Sequence, residues 1–293
     1  MANLKEVKSR ITSVTSTQQI TSAMKMVAAA KLRRAQDRIT QMRPYSQKLT
    51  SILQNVSASL GDTSDNPYGE NREVATVLLV VISSDRGLCG AFNSNVFKET
   101  VRQIEKKYSY EKKSGGLTIL PIGKKSYEYF KKRGYQLIDD HYEMFHDLSF
   151  DKAKVAAEVA MTGFVDGEFD KVEIVYNEFK NVATQILRVE QLLPIVQTES
   201  EELEDVDYIY EPSLEYVVQE LIPKSLKIQF YKAILESNAS EHGARMTAMD
   251  QATDNAGELL KELKLTYNRT RQAAITKEIL EIVGGAEALA AES

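Results

Sequence analysis

The segment Ser83–Asn95, SSDRGLCGAFNSN, gathers the residue types with which this chain of 293 residues could do chemistry. It follows a β-branched and aliphatic run and precedes a helical pattern, the place where a doubly wound sheet offers backbone N–H groups to phosphates. Its glycines, Gly87 and Gly90, are spaced GxxG. That is neither the GxGxxG of a dinucleotide site nor the GK[ST] ending of a P-loop, so the spacing favours a structural strand-to-helix loop over a nucleotide site. Cys89 would act as a nucleophile only beside a base and an orienting partner. His141, His146 and His242, the three histidines, have no spacing that supplies one. His141 and His146 sit in a polar stretch and fit solvated surface positions better than metal ligands. With Cys89 the single cysteine, an internal disulfide and the usual cysteine-based metal site are both excluded. A second cluster, Lys31, Arg33, Arg34, Arg38 and Arg43, forms a basic helical face that would attract phosphate. It lacks the interleaved aromatics of base stacking, and an acidic protein partner or plain solvation fits it equally well.

The elements that must carry these residues are of two kinds. From Leu4 a 3/4 alternation runs through Val7, Ile11, Val14, Gln18, Thr21, Lys25, Ala28, Leu32, Ala35, Ile39, Met42, Ser46, Leu49, Leu53, Val56 and Leu60, with 13 of 17 positions apolar. From Leu214 the same spacing continues to Leu263 with 11 of 15 apolar, His242 and Arg245 being two of its polar positions. These seams predict a long antiparallel coiled coil, in which residues 1–60 pair with residues 210–288 and each helix is roughly 80 to 100 Å long. Pro44 removes one backbone hydrogen bond from the first helix, which favours a bend there over an end. Pro223 should bend the second near its start, and Pro212 suits that helix's N-terminus.

Between the helices the period changes. Val74 to Ser83, Leu117 to Ile122 and Lys171 to Val175 read as strands, with helical patterns at about 93–108, 124–133 and 151–165 between them. This alternation predicts an inserted, doubly wound, Rossmann-like α/β domain over residues 72–198. Ile186 to Ile195 fits a further strand, antiparallel at an edge. The turn-rich stretch Gly61 to Asn71 closes the first helix.

Charge is uneven along the chain. Residues 1–50 hold ten Lys or Arg against two acids, a net of +8 that leaves −13 elsewhere, given −5 overall. Nine carboxylates and no base lie between Glu199 and Glu220. The longest apolar run, Val74 to Ile82, is about half a membrane span. The N-terminus lacks the apolar core of a signal peptide. We therefore expect a chain that faces the cytosol and does not insert into a membrane. The last turns, Tyr267 to Gly285, place Ile275, Ile279 and Ile282 on one helical face. A free helix end would become more polar, so the tip is expected to enter a sleeve.

Four segments carry a resemblance that spans essentially the whole chain: ITSVTSTQQITSAMKMVAAAKLRRAQ (11–36), SSDRGLCGAFN, YEP at Tyr210 to Pro212, and the ending Ala244 to Leu289. Together they resemble the gamma-subunit family of F-type ATP synthases. The resemblance implies a central rotor shaft within a ring of three alpha and three beta subunits, coupling proton-driven rotation of the membrane c-subunit ring to ATP synthesis on beta. It implies an epsilon-subunit partner, no cofactor and no catalytic residue in this chain. Its location would be peripheral, on the cytoplasmic side of a bacterial inner membrane. Positions matching Met24, Arg271, Gln272 and Thr276 would meet beta-subunit loops, and the stretch holding Lys31, Arg33 and Arg34 would lie near an acidic lever on beta. Tyr210 and Glu211 would rest on the membrane ring. The inserted cysteine pair of plant-type relatives has no counterpart here, so their redox switch should be missing. Two other readings stay open on residues alone: an enzyme centred on Cys89, and a coiled-coil adaptor that binds RNA through Lys31 to Arg43.

Overall fold

The computed structural model describes residues 4–60, 66–195 and 214–291. Tyr210, Glu211, Pro212 and the acidic run 199–207 lie outside the described residues. Helix α1 spans Leu4–Leu60 and continues past Pro44; helix α6 spans Leu214–Ala291 and contains Pro223. The chain forms two compact units, one of residues 1–27 with 246–293, the other of residues 28–245.

In the first unit the two helices pair antiparallel. Thr21 Oγ1 lies 2.8 Å from Thr253 Oγ1, and Lys25 Nζ donates to Asp250 Oδ1 at 2.5 Å. Gly257, where a Cβ would lie 3.1 Å from Gln18 Nε2, continues the same register. Polar seam positions thus meet polar partners, which fixes register at some cost in apolar burial. Every described α1 seam position from Leu4 to Leu49 is buried or half-buried. On α6 the inward row is Met249, Thr253, Ala256, Leu260 and Leu263, while the seam residues Lys224 and Leu259 are exposed. Over this stretch the expected seam holds at Met249, Ala252, Ala256 and Leu263 and is corrected at one position, where Leu260 is buried in place of Leu259. An α-helix of 3.6 residues per turn drifts against a strict heptad, and a few turns suffice to move the row.

The second unit holds a five-stranded sheet in the order β3-β2-β1-β4-β5. Its strands are β1 Val77–Ile82, β2 Leu117–Ile122, β3 Gln136–Leu137, β4 Lys171–Phe179 and β5 Gln185–Leu193. All pairs are parallel except β4 with β5, the antiparallel edge that the sequence pattern anticipates. β3 is only two residues long and has no hydrophobic run to announce it. Every residue of β1 is fully buried, since helices cover both faces.

On one face Val77, Leu79, Val81, Ile119 and Val175 pack with Val96, Phe97 and Ile104 of α2 (Phe92–Lys107) and Phe130 of α4 (Lys124–Lys131). A short helix α3, Ser109–Ser114, leads into β2. On the other face Leu78, Val80, Ile82, Ile174 and Tyr176 meet α5 (Phe150–Val165), whose Ala153, Ala156, Ala157 and Ala160 let it approach closely. The same core takes in Ile222, Leu226, Phe230, Ala233 and Ile234 of α6. The last long helix is thus a covering layer of the sheet, and each of its large apolar side chains there contributes roughly 1.5–3 kcal/mol by leaving water. Among the described residues no helix is long and apolar enough to cross a membrane.

Candidate functional site

The loop after β1 is held from within the unit. Ser84 N donates to Asn93 Oδ1 at 3.0 Å, and Ser84 Oγ donates to Arg86 O at 2.6 Å. Two donors at the start of α4, the backbone N–H groups of Lys124 and Ser126, are taken by Asp85 Oδ1 at 3.0 Å and Ser83 Oγ at 2.8 Å. Gly123, with φ +103°, permits this contact, because a Cβ there would lie 2.3 Å from Ser83 O. Side chains of the loop after β1 thus cap α4, whereas α2, the helix that the loop itself enters, has no side-chain cap at Ala91. A cleft of about 500 Å³ beside the α4 cap is lined by Asp85, Glu128 and Glu143 against Arg86, Lys124 and Lys125, with His146 and Gly87, a mixed set in which Lys125 pairs with Glu128 at 2.6 Å. It has no excess of either sign with which to select an ion.

Cys89 is 1% exposed and accepts from Asn93 Nδ2 at 3.3 Å. Burial pushes its thiol up, which is the opposite of what a nucleophile needs. Among the described residues no cluster of His, Cys, Asp or Glu could hold a metal ion.

The loop is also tied to α6. Arg245 Nη2 donates to Arg86 O at 3.1 Å and Gly87 O at 3.3 Å, while Nη1 binds Glu241 Oε1 at 2.5 Å. His242 and Arg245 are therefore no simple register markers. Burial, reinforced by the charges of Arg245 and Lys31, holds the His242 imidazole down to about 4. At the loop's tip Leu88 stands 65% exposed with φ +63°. A bulky residue in that region costs about 1–3 kcal/mol.

The expected contact residues sit on helix surfaces. Lys31, Arg33 and Arg34 are exposed and make no ion pair among the described residues. Arg43 departs from the basic face on which the sequence puts it: its guanidinium is committed to Glu236 at 2.8 Å. In the first unit Met24 is half-buried, and Ile20, Met26 and Val27 around it are 59%, 66% and 57% exposed. Arg271, Gln272 and Thr276 are exposed, and Thr276 Oγ1 bonds only its own helix, to Gln272 O at 3.0 Å. The pairing register puts Leu4 level with about Arg271, so Met24 is some 30 Å along the pair from that group. The structure makes two stations of them. Beyond that level every residue from Arg271 to Ala286 is exposed, Ile275, Ile279, Leu280, Ile282 and Val283 included. The exposed apolar residues Ile20, Met26 and Val27 and the Arg245 clamp escaped the sequence reading. An apolar residue off the seam, and a polar one within it, were the available signals.

Comparison with known proteins gives a consistent answer. Residues 3–289 match the family model described as ATP synthase. The chain is 60% identical over 293 residues to the ATP synthase gamma chain of Cytophaga hutchinsonii, with 99% of each covered. Its fold is similar to the central stalk of Tetrahymena thermophila mitochondrial ATP synthase, with a TM-score of 0.59 and 25% identity over 80% of this chain and 99% of that one. A chain of the Euglena gracilis mitochondrial ATP synthase is similar in fold at a TM-score of 0.69 and 22% identity, over 98% of this chain and 94% of that one.

Proposed function

Because the chain belongs to the family of ATP synthase gamma chains, we propose that it is the central shaft of an F-type ATP synthase, turning with the membrane ring and imposing its angle on the catalytic subunits. The observation that carries this reading is the end of α6, where five large apolar side chains from Ile275 to Val283 have no cover among the described residues. A monomer leaves such a surface bare only at a cost, so it calls for a partner. A ring of alpha and beta subunits with an apolar bore supplies one.

Met24 with its exposed neighbours, and Arg271, Gln272 and Thr276 at the tip, serve as two contact stations for beta. Lys31, Arg33 and Arg34 face an acidic element of beta, a role that their exposure and freedom from ion pairs support. Tyr210 and Glu211 contact the membrane c-subunit ring, and the epsilon subunit binds the sheet domain. A shaft that touched three catalytic sites equally could shift no population among them, so the work lies in asymmetric contact. Catalytic residues for ATP belong to beta. The buried thiol of Cys89 and the commitment of Ser83 and Asp85 to capping α4 support that division. The shaft sits peripherally on the cytoplasmic face of a bacterial inner membrane.

The test is ATPase activity of purified alpha and beta subunits from the same source, with and without this chain, alongside size exclusion. Co-elution with sustained turnover is expected. Failure to associate would overturn the reading.

A further inference from the structure

Near the end of β4 the second unit holds a charged pair that the contact stations leave unused. Glu236 of α6 is fully buried, and both its oxygens are bonded. Oε1 accepts from Arg43 Nε at 2.8 Å, and Oε2 accepts from Arg43 Nη2 at 2.9 Å and from Phe179 N at 3.1 Å. Arg43 Nη2 also donates to Phe179 O at 2.8 Å. The peptide groups of the last residue of β4 are thus gripped by an acid from α6 and a base from α1.

The neighbouring turns of α6 are cut to fit the same place. Ser240 Oγ donates to Asn177 O at 3.0 Å. At Gly243 the helix passes within packing distance of the β4–β5 hairpin, where a Cβ would make ordinary van der Waals contact with Phe179 Cε2 at 3.4 Å and Val182 Cα at 3.7 Å. Positions 236, 240 and 243 fall on one helical face. On the other partner Arg43 directly precedes Pro44, where α1 lacks a backbone hydrogen bond and is least able to resist bending by itself.

Only the acid is buried, the Arg43 side chain keeping 40% of its exposure, and an ion pair that buries a carboxylate is a poor choice for stability alone, because apolar side chains of similar volume often do as well or better. What the bidentate fork adds is direction. Apolar surfaces can slide at little cost, whereas these bonds break when an element turns against its neighbour. We infer that Arg43, Glu236 and the Phe179 peptide form a stiff joint, which passes torque between the sheet and the segments of α1 and α6 in the same unit. Arg43 and Glu236 are then positioning residues for rotary coupling. This rests on the shaft reading.

The experiment measures stiffness directly. The complex of this chain with alpha and beta subunits is immobilised through the ring and stalled with a non-hydrolysable ATP analogue. A bead is tethered to the sheet domain through Tyr110→Cys, an exposed position remote in sequence from the joint. Angular variance of the bead is recorded for the otherwise unaltered chain, for Arg43→Lys, and for the double variant Arg43→Met with Glu236→Leu, which keeps apolar packing. Ile104→Ala, on the opposite face of the sheet, controls for lost stability. The joint predicts a variance raised about twofold in the double variant and by less in Arg43→Lys, whose amine cannot make the fork, with the control unchanged. Variance unchanged in the double variant overturns the inference. If that variant does not assemble, unchanged variance in Arg43→Lys overturns it. Failure of the unaltered chain to enter the ring would instead overturn the shaft reading.

Discussion

One helix carries two opposite environments. From Ile222 to Gly243, α6 is buried or half-buried at every position but Lys224, whereas from Arg271 to Ala286 it is exposed throughout. Both stretches are rich in apolar residues, so hydrophobicity alone does not separate them. The difference lies in where the partner is. The first stretch finds its cover in this chain, on the sheet; the second finds none among the described residues, which is why we assign its cover to another molecule. Ion pairs divide in the same way. Glu236 sits at 1% side-chain exposure, but Asp250, bound to Lys25, sits at 49%. Burial makes the first indispensable to its surroundings and leaves the second to solvent screening.

The sharpest way to break the comparison is Glu236→Ala, which strands Arg43 and the Phe179 N–H. A loss of about 3–5 kcal/mol in denaturant unfolding of the isolated chain is expected. A loss below about 1 kcal/mol would mean that the second unit relaxes around the site. Next is the tip: Ile279→Asp with Ile282→Asp should leave unfolding of the isolated chain within about 0.5 kcal/mol. The same pair should weaken association with the alpha–beta ring at least about tenfold, or 1.4 kcal/mol. Equal losses in both measurements would contradict a partner-covered surface.

A third test uses pH. The folded unit keeps His242 neutral down to about 4, while the unfolded chain protonates it near 6.5. The stability it contributes is complete above the unfolded value and is lost as pH falls from 6.5 towards 4, by at most about 1.4 kcal/mol per pH unit. His242→Gln should flatten the urea midpoint over that window. Buried Glu241 has its carboxyl pushed up, so its contribution is lost as pH rises instead. Both proteins share it, and the difference between them isolates His242. The smallest effect belongs to Asp250→Asn, expected to cost about 0.2–1 kcal/mol and to shrink in high salt. A cost near that of Glu236→Ala would show that exposure is the wrong criterion.

Much of this was legible from the residues in order. The run from Val74 to Ile82 reads as a strand buried on both faces and is one from Val77 onward, Val74 and Ala75 being exposed ahead of it; the α1 seam, an uninterrupted 3/4 alternation, names the positions that lie inward. The bare tip was legible too, as apolar residues where a free end should be polar. What failed was the phase of α6 near Leu259 and the meaning of its polar residues.

The reason is physical. Periodicity reports one buried face, so it works for a helix with one neighbour and fades when the sheet, another helix and a loop each claim a side. The amino-acid order by itself therefore determined the kinds of element, the inward row of α1 and the family. Only the tertiary structure decided that Arg43 leaves the basic face for Glu236, that Arg245 holds the loop after β1, and that α6 covers the sheet, because Arg43 lies 193 residues from Glu236 and Arg245 lies 159 from Arg86, and no local pattern records which neighbour a side chain will meet.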